Sequence, residues 1–325
     1  MKSNHILQLT MKACSFLPAV TQMIYDMDLQ DYLHGVTFEC PANALKEKPK
    51  LVRCVLEDKQ YSSAEIDKIF SASKALGRSL YYVDEELLQQ IQPDIIFTQD
   101  VCEICQIDSQ CTAAAVSKLK KKPRLISISP RSLDDVYDSA ITIAAAFAKE
   151  ENAYAYCGLL KKRTDVILDR LRSHQIPLKR TLLLEWIDPL YNCGHWIPFQ
   201  IALAGGIDML SNPAGDSIVT PWEKIVRYDP QILLIAPCGF ETKRTGQEMC
   251  WLSQKPGWSN IQAVRTKRVF LADYDLFTQP SASTLTDGIE LLAALFHPEL
   301  FDVPEKLKNK YLSFYKITDD VHART

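Results

Sequence analysis

The stretch Pro93-Asp-Ile-Ile-Phe-Thr-Gln-Asp-Val-Cys-Glu-Ile-Cys105 decides how this chain is read. Ile95-Ile-Phe97 is a short apolar run bounded by Pro93-Asp94, the pattern of a strand buried on both faces. Cys102 and Cys105 follow just past the carboxyl end of that strand. In an open α/β sheet, ligands gather at the carboxyl ends of the strands. A Cys-x-x-Cys placed there can bind a metal, carry out redox chemistry or line a cleft.

Working outward, short apolar runs alternate with helical patterns. Strands are expected over residues 12–16, 34–37, 51–54, 80–83, 95–98 and 125–128, with helices over 19–27, 63–76, 85–91 and 132–147. That alternation predicts a βα lobe with a largely parallel sheet. A helix then runs from about residue 152 to 173, with Leu159, Leu160, Ile167, Leu168 and Leu171 on its apolar face. About 20 residues of helix span about 30 Å, enough to cross between two lobes. The pattern resumes with strands over 181–186, 232–236 and 268–272 and helices over 196–204, 222–228 and 284–296. The expected fold class is α/β, with an N-terminal lobe over 1–150, a backbone helix over 151–174 and a C-terminal lobe over 175–325.

Composition narrows the function. The chain has 325 residues, 47% of them hydrophobic and 24% charged, enough apolar material for two cores. The net charge of -3 gives no footprint for nucleic acid. The run Lys118-Leu-Lys-Lys-Lys122 reads as a solvated helix end. Residues 1–10 do not form a secretory signal, no lipid-anchor cysteine follows an apolar segment, and no run approaches the ~20 apolar residues that span a bilayer. The expectation is a cytoplasmic chain with no membrane insertion. In a reducing compartment its ten cysteines are mostly free thiols. Cys14, Cys54 and Cys157 sit in apolar stretches and read as core residues. Cys40, Cys102, Cys105 and Cys238 sit at strand ends and are candidates for chemistry. There is no glycine-rich phosphate loop and no nucleophile–base set, which argues against a nucleotide enzyme or a hydrolase.

Several motifs follow one another in a telling order. They are Ser15-Phe-Leu-Pro-Ala-Val-Thr21, Gly35-Val-Thr-Phe-Glu-Cys-Pro41, Ser79-Leu-Tyr-Tyr-Val-Asp84, Pro93–Gln99, Cys102-Glu-Ile-Cys105 and Ser129-Pro-Arg-Ser132. The second half adds Glu185-Trp-Ile-Asp-Pro189, Gly194-His-Trp-Ile-Pro198, Ala204-Gly-Gly206 and Pro237-Cys-Gly239. Together, from about Lys12 to Phe301, they resemble the cobalamin-binding, periplasmic-binding-protein-like family, the helical-backbone group with binding proteins for corrinoids, haem and ferric siderophores. The resemblance implies two Rossmann-like lobes bridged by a rigid helix, with a small-molecule ligand held between them. Extracytoplasmic members hand that ligand to a membrane permease. This chain looks closer to a cytosolic subgroup without a signal peptide, which puts a permease partner in doubt. The subgroup commonly has His before Glu-Cys, where this chain has Phe38.

The resemblance makes the chain a binding protein more readily than an enzyme, its ligand a cobalamin-like corrinoid or related metal-tetrapyrrole. Such flat, largely apolar ligands are held by aromatic walls with a few polar anchors. The candidate contacts are Phe16, Pro18, Phe38, Glu39, Gln99, Glu185, Trp186, His195, Trp196, Gly239 and Tyr274. Trp196 is expected as a cleft wall. Gly194 is expected to supply an unusual turn ahead of a helix that begins with His195-Trp196. His195 can serve as an axial ligand, since imidazole suits cobalt and iron, as a hydrogen-bond donor, or as a structural histidine. Cys40, Cys102, Cys105 and Cys238 suffice in number for zinc or an iron–sulfur cluster. The alternative function is therefore a metal- or cluster-dependent redox enzyme. Against a thioredoxin-like thiolate, Asp100 and Glu103 place negative charge beside the pair.

Overall fold

The computed structural model describes residues 11–99 and 109–316. Contacts divide the chain into two compact units. The first takes the chain up to Lys59, then Ser73–Ser129 and Ser139–Tyr154. The second takes Gln60–Ala72, Pro130–Asp138 and everything from Ala155 onward.

In chain order, the first half runs β1 (Ala13–Ser15), α1 (Pro18–Asp26), β2 (Leu33–Thr37), α2 (Ala42–Glu47), β3 (Lys50–Cys54) and α3 (Ser63–Ala75). It continues through β4 (Tyr81–Val83), α4 (Glu85–Ile91), β5 (Ile95–Thr98), α5 (Ser109–Ser117), β6 (Arg124–Ser127), α6 (Leu133–Ala145) and α7 (Glu150–Ser173). The first unit's sheet has the order β4-β3-β2-β1-β5-β6, parallel except for the β3–β4 pair. All four residues of β5 are buried, as the apolar run requires when parallel strands flank it on both sides. Asp94 anchors its start by accepting from the Lys12 amide at 2.9 Å. The chain leaves β1 toward β2 on one side and returns as β5 on the other, so the strand order reverses at β1.

Local chemistry sets the helix ends. Asp84 caps α4 by accepting from the Leu87 amide at 3.0 Å, and Gln92 closes it with a φ of 48°. Ser62 and Glu65 form a reciprocal capping box at α3, and Ser132 and Asp135 make the same exchange at α6. Lys122 donates to the carbonyls of Val116 and Ser117 at the end of α5, so the basic run is a helix terminus.

α7 has 24 residues, and the division between the units falls within it after Tyr154. In the second unit Arg163 pairs through Nε and Nη2 with Glu290 at 2.8 and 2.7 Å, and with Asp287. The second half then runs β7 (Lys179–Trp186), β8 (Tyr191–Asn192), β9 (Gly194–His195), α8 (Ile197–Leu203), β10 (Gly206–Ile207), β11 (Asn212–Pro213) and β12 (Ile218–Val219). It closes with α9 (Trp222–Tyr228), β13 (Ile232–Ile235), α10 (Thr242–Ser253), α11 (Gln262–Arg265), β14 (Val269–Ala272), α12 (Ala282–Phe296) and β15 (Tyr311–Ser313). Its sheet has the order β12-β8-β7-β13-β14-β15, with β10 also on β7. The central trio β7, β13 and β14 is parallel, and β8, β12 and β15 pair antiparallel at the flanks. α12 is buried on nearly every face. Gly288 makes that possible, because a Cβ there would stand 2.3 Å from the Leu276 carbonyl and 2.7 Å from Gln200 Nε2.

Candidate functional site

The carboxyl ends of the parallel strands collect the candidate residues of each unit. In the first unit, Phe16 and Pro18 follow β1, Phe38, Glu39 and Cys40 follow β2, and Gln99 follows β5. Phe16 is buried and its amide donates to the Phe97 carbonyl at 3.0 Å, tying the ends of β1 and β5. Phe38 is half-buried, with its ring 6.4 Å from that of Tyr81. Burial, reinforced by the neighbouring Glu57 charge, raises the Glu39 carboxyl from 4.5 to about 7. Cys40 is buried and its thiol donates to Thr21 Oγ1 at 3.1 Å, while burial pushes its pKa up to about 12. Such a thiol is not a ready thiolate. Cys102 and Cys105 lie outside the described residues. Among the described residues, no three of His, Cys, Asp and Glu come together in a way that could hold a metal ion. Cys14, Cys54 and Cys157 are buried, as their apolar surroundings require.

In the second unit, Glu185 and Trp186 end β7, Cys238 and Gly239 follow β13, and Tyr274 follows β14. The structure joins these loops closely. The Cys238 amide donates to the Glu185 carbonyl at 3.1 Å, and the Tyr274 amide to the Phe240 carbonyl at 3.1 Å. Trp186 packs its ring 5.3 Å from Phe240, and the Arg244 guanidinium lies 4.4 Å from the centre of the Phe240 ring. Trp186, Cys238 and Tyr274 are half-buried, and Gly239 is exposed with a φ of 78°.

His195 stands out by its backbone. Its φ is 52°, a left-handed conformation that non-glycine residues adopt rarely. A short parallel ladder of β9 on β11 enforces it. The His195 amide donates to the Gly215 carbonyl at 2.6 Å, and the His195 carbonyl accepts from the Ala214 amide at 2.9 Å. The unusual turn thus falls on His195 rather than on Gly194. Gly194 has another role: a Cβ there would meet the Gly215 carbonyl oxygen at 2.5 Å and the Ser217 nitrogen at 2.7 Å. α8 begins at Ile197, one residue later than the expected start at Trp196.

The His195 ring stacks at 5.3 Å on Trp196. Trp196 is only 8% exposed and donates through Nε1 to the Phe277 carbonyl at 2.6 Å. It forms a floor beneath His195 instead of an open wall. Among the described residues neither ring nitrogen of His195 has a hydrogen-bond partner. Burial lowers the pKa of His195, with Asp216 acting to raise it and Arg131 to lower it further. The imidazole is neutral at pH 7. A neutral, half-buried and unpartnered imidazole on a rigid floor can coordinate a metal centre or accept a proton.

Arg131 is the residue that pattern reading passed over. It lies in Ser129-Pro-Arg-Ser132, belongs to the second unit by contacts, and comes within electrostatic reach of His195. The motif was visible in the sequence, whereas its company with His195 depends on the fold.

Two α/β units, parallel strand ends bearing aromatic and polar groups, and one long connecting helix define the class of two-lobed substrate-binding proteins. The sequence profile of a family described as periplasmic binding protein matches residues 44–276, and the chain belongs to that family. YvrC of Bacillus subtilis, an uncharacterized ABC transporter substrate-binding lipoprotein, is 23% identical over 299 residues, covering 89% of this chain and 81% of that protein. The vitamin B12 binding protein BtuF of Vibrio cholerae superposes with a TM-score of 0.61 at 14% identity, over 88% of this chain and 96% of that one. IsdE of S. aureus, complexed with heme, superposes with a TM-score of 0.65 at 14% identity, over 88% and 99%. At such identities the likeness to solved structures speaks for the fold alone.

Proposed function

We propose that this chain binds a cobalamin-like corrinoid or a related metal-tetrapyrrole, with His195 offering its imidazole to the metal. The observation that carries the reading is His195 itself, clamped in a left-handed conformation with both ring nitrogens unpartnered. Strained backbone of this kind costs about 1–3 kcal/mol and is kept where surrounding structure over-determines it, often at ligand sites. The group fits the residues present: Trp186 and Tyr274 are half-buried aromatics near the strand ends, and a neutral imidazole suits cobalt or iron. Glu185 and Gly239 are further proposed contacts on the same loops. Phe16, Pro18, Phe38, Glu39 and Gln99 are proposed as contacts from the first unit's strand ends. BtuF and IsdE support the ligand class by their own ligands, vitamin B12 and heme. The thiol-centred alternative draws no support from Cys40, which is buried and protonated.

The compartment belongs to the same reading. The described cysteines are free thiols, which favours a reducing environment, while YvrC is a lipoprotein. Export would bring a permease partner with it, and fractionation of cells expressing the full chain separates the two cases.

The test is a visible-spectrum titration with hydroxocobalamin, cobinamide and hemin. The native chain is expected to shift the corrin or Soret band saturably. His195→Ala is expected to abolish the shift and weaken affinity about tenfold or more. A native chain that leaves all three spectra unchanged sinks the proposal.

A further inference from the structure

The opposite end of the second unit's sheet, at the amino ends of β7, β13 and β14, holds a recess of about 280 Å³ lined by Lys179, Gln231, Ile232, Gln262, Thr266 and Arg268. Its polar lining is one-sided. Gln231 Oε1 accepts from the Arg180 amide at 2.9 Å and Gln262 Oε1 from Arg180 Nη2 at 3.2 Å, so both amide nitrogens remain to donate. The Lys179 ammonium has no partner among the described residues. The Arg268 guanidinium donates to the backbone carbonyls of Leu295 and Phe296. Thr266 spends its proton on the Gln262 carbonyl at 2.8 Å, which leaves one hydroxyl acceptor in the wall.

Among the described residues no carboxylate lines the recess. Asp229 accepts from the Gln262 amide and lies 3.8 Å from Arg180, while Glu299, 3.6 Å from His297, is the carboxylate within electrostatic reach of Arg268, so Lys179 is the unpaired cation of the wall. We propose that this recess is a second binding site, for a small dianionic phosphate ester, with Lys179 as the point charge, Arg268 as the second cation, and the amides of Gln231 and Gln262 as orienting donors. The Thr266 acceptor suits a hydroxyl on the ester's organic part. The volume lies just below the ~300 Å³ at which small-molecule pockets begin, so the ester is a small one. This site is independent of the reading of His195.

The experiment is calorimetric titration of the full chain with inorganic phosphate and with glycerol phosphate, at constant ionic strength set by chloride. Saturable binding is expected, tighter for the ester. Lys179→Met, which removes no internal hydrogen bond, is expected to weaken it about tenfold, the worth of one charge-assisted hydrogen bond. Lys179→Glu is expected to abolish it. Circular dichroism of each variant confirms that the fold is kept, and the tetrapyrrole titration is expected to be unchanged. Absence of saturable binding to the native chain, or equal affinity in Lys179→Met, overturns the proposal. Because Arg268 also caps α12, its substitution is not used.

Discussion

Glu39 shows how much one side chain at a strand end can hold. Its carboxyl is raised from 4.5 to about 7 by burial first and the charge of Glu57 second, while Glu57 is itself occupied by Lys50 and Arg53. A raised carboxyl means the folded chain keeps a proton that the unfolded chain releases. Its contribution to stability is therefore fully present below about pH 4.5 and is lost as pH rises through about 7. Glu39→Gln removes that dependence. The variant should match the native chain near pH 4 and exceed it at pH 8 by about 3 kcal/mol at most, the rise from 4.5 to about 7 taken at about 1.36 kcal/mol per pKa unit. Urea melts at the two pH values measure this. Parallel losses in both proteins between those values would show that Glu39 is better solvated than its position indicates. His195 titrates in the opposite sense: burial keeps it neutral, the form in which an imidazole ligates a metal.

At the scale of elements, α3 depends on a clasp from α10. Glu248 accepts from the Ser63 amide at 2.9 Å and from the Ser63 hydroxyl, while Arg244 holds Glu248 at 2.6 Å and donates to the Tyr61 carbonyl. Glu248 thereby satisfies an orphan amide at the first turn of α3. Glu248→Ala should cost about 1–3 kcal/mol, since it strands a buried donor and an arginine together. Hydrogen exchange should quicken in residues 60–72 ahead of the rest, and unchanged protection there would refute the clasp. None of this was legible beforehand, because α10 reads Thr-Lys-Arg-Thr-Gly-Gln-Glu-Met-Cys-Trp-Leu-Ser with a glycine inside, and half of its buried face, Thr242 and Thr245 beside Met249 and Leu252, is polar. By contrast β5, β13 and α4 were read with the bounds they have or within a residue of them. Buried parallel strands are continuous apolar runs, and α4 carries an Asp cap. The two-residue strands β8 to β12 offer no period to detect. That is why the ladder clamping His195 was missed while His195 itself, beside a glycine and a tryptophan, was singled out. Strand-end position was readable for Phe38, Trp186 and Tyr274. The burial of Trp196 was not, because it follows from Phe277, which is distant in the chain.

At the scale of the molecule, sequence order and compact units do not coincide. The second unit draws on Gln60–Ala72 and Pro130–Asp138, and on α7 from Ala155 onward, all of which precede residue 175. What these segments contribute is specific. Ser63 occupies Glu248, Tyr61 receives Arg244, and Arg163 neutralises Asp287 and Glu290. The Tyr156 hydroxyl accepts from the Ser283 amide at 2.9 Å, and Arg170 Nη1 donates to the Leu300 carbonyl at 2.8 Å. A fragment of residues 175–325 would lose all of these partners at once, together with the apolar faces of α7 that bury Leu160, Ile167 and Leu171. Burying one such leucine or isoleucine contributes about 1.5–3 kcal/mol, and a domain's whole stability is about 5–15 kcal/mol. The fragment is therefore expected to retain helix and strand signal in the far ultraviolet while losing its near-ultraviolet tryptophan signal and its cooperative melt. A fragment 175–325 that melts cooperatively with a native tryptophan spectrum would show that the borrowed segments are dispensable, and that this unit is built by its contiguous sequence alone.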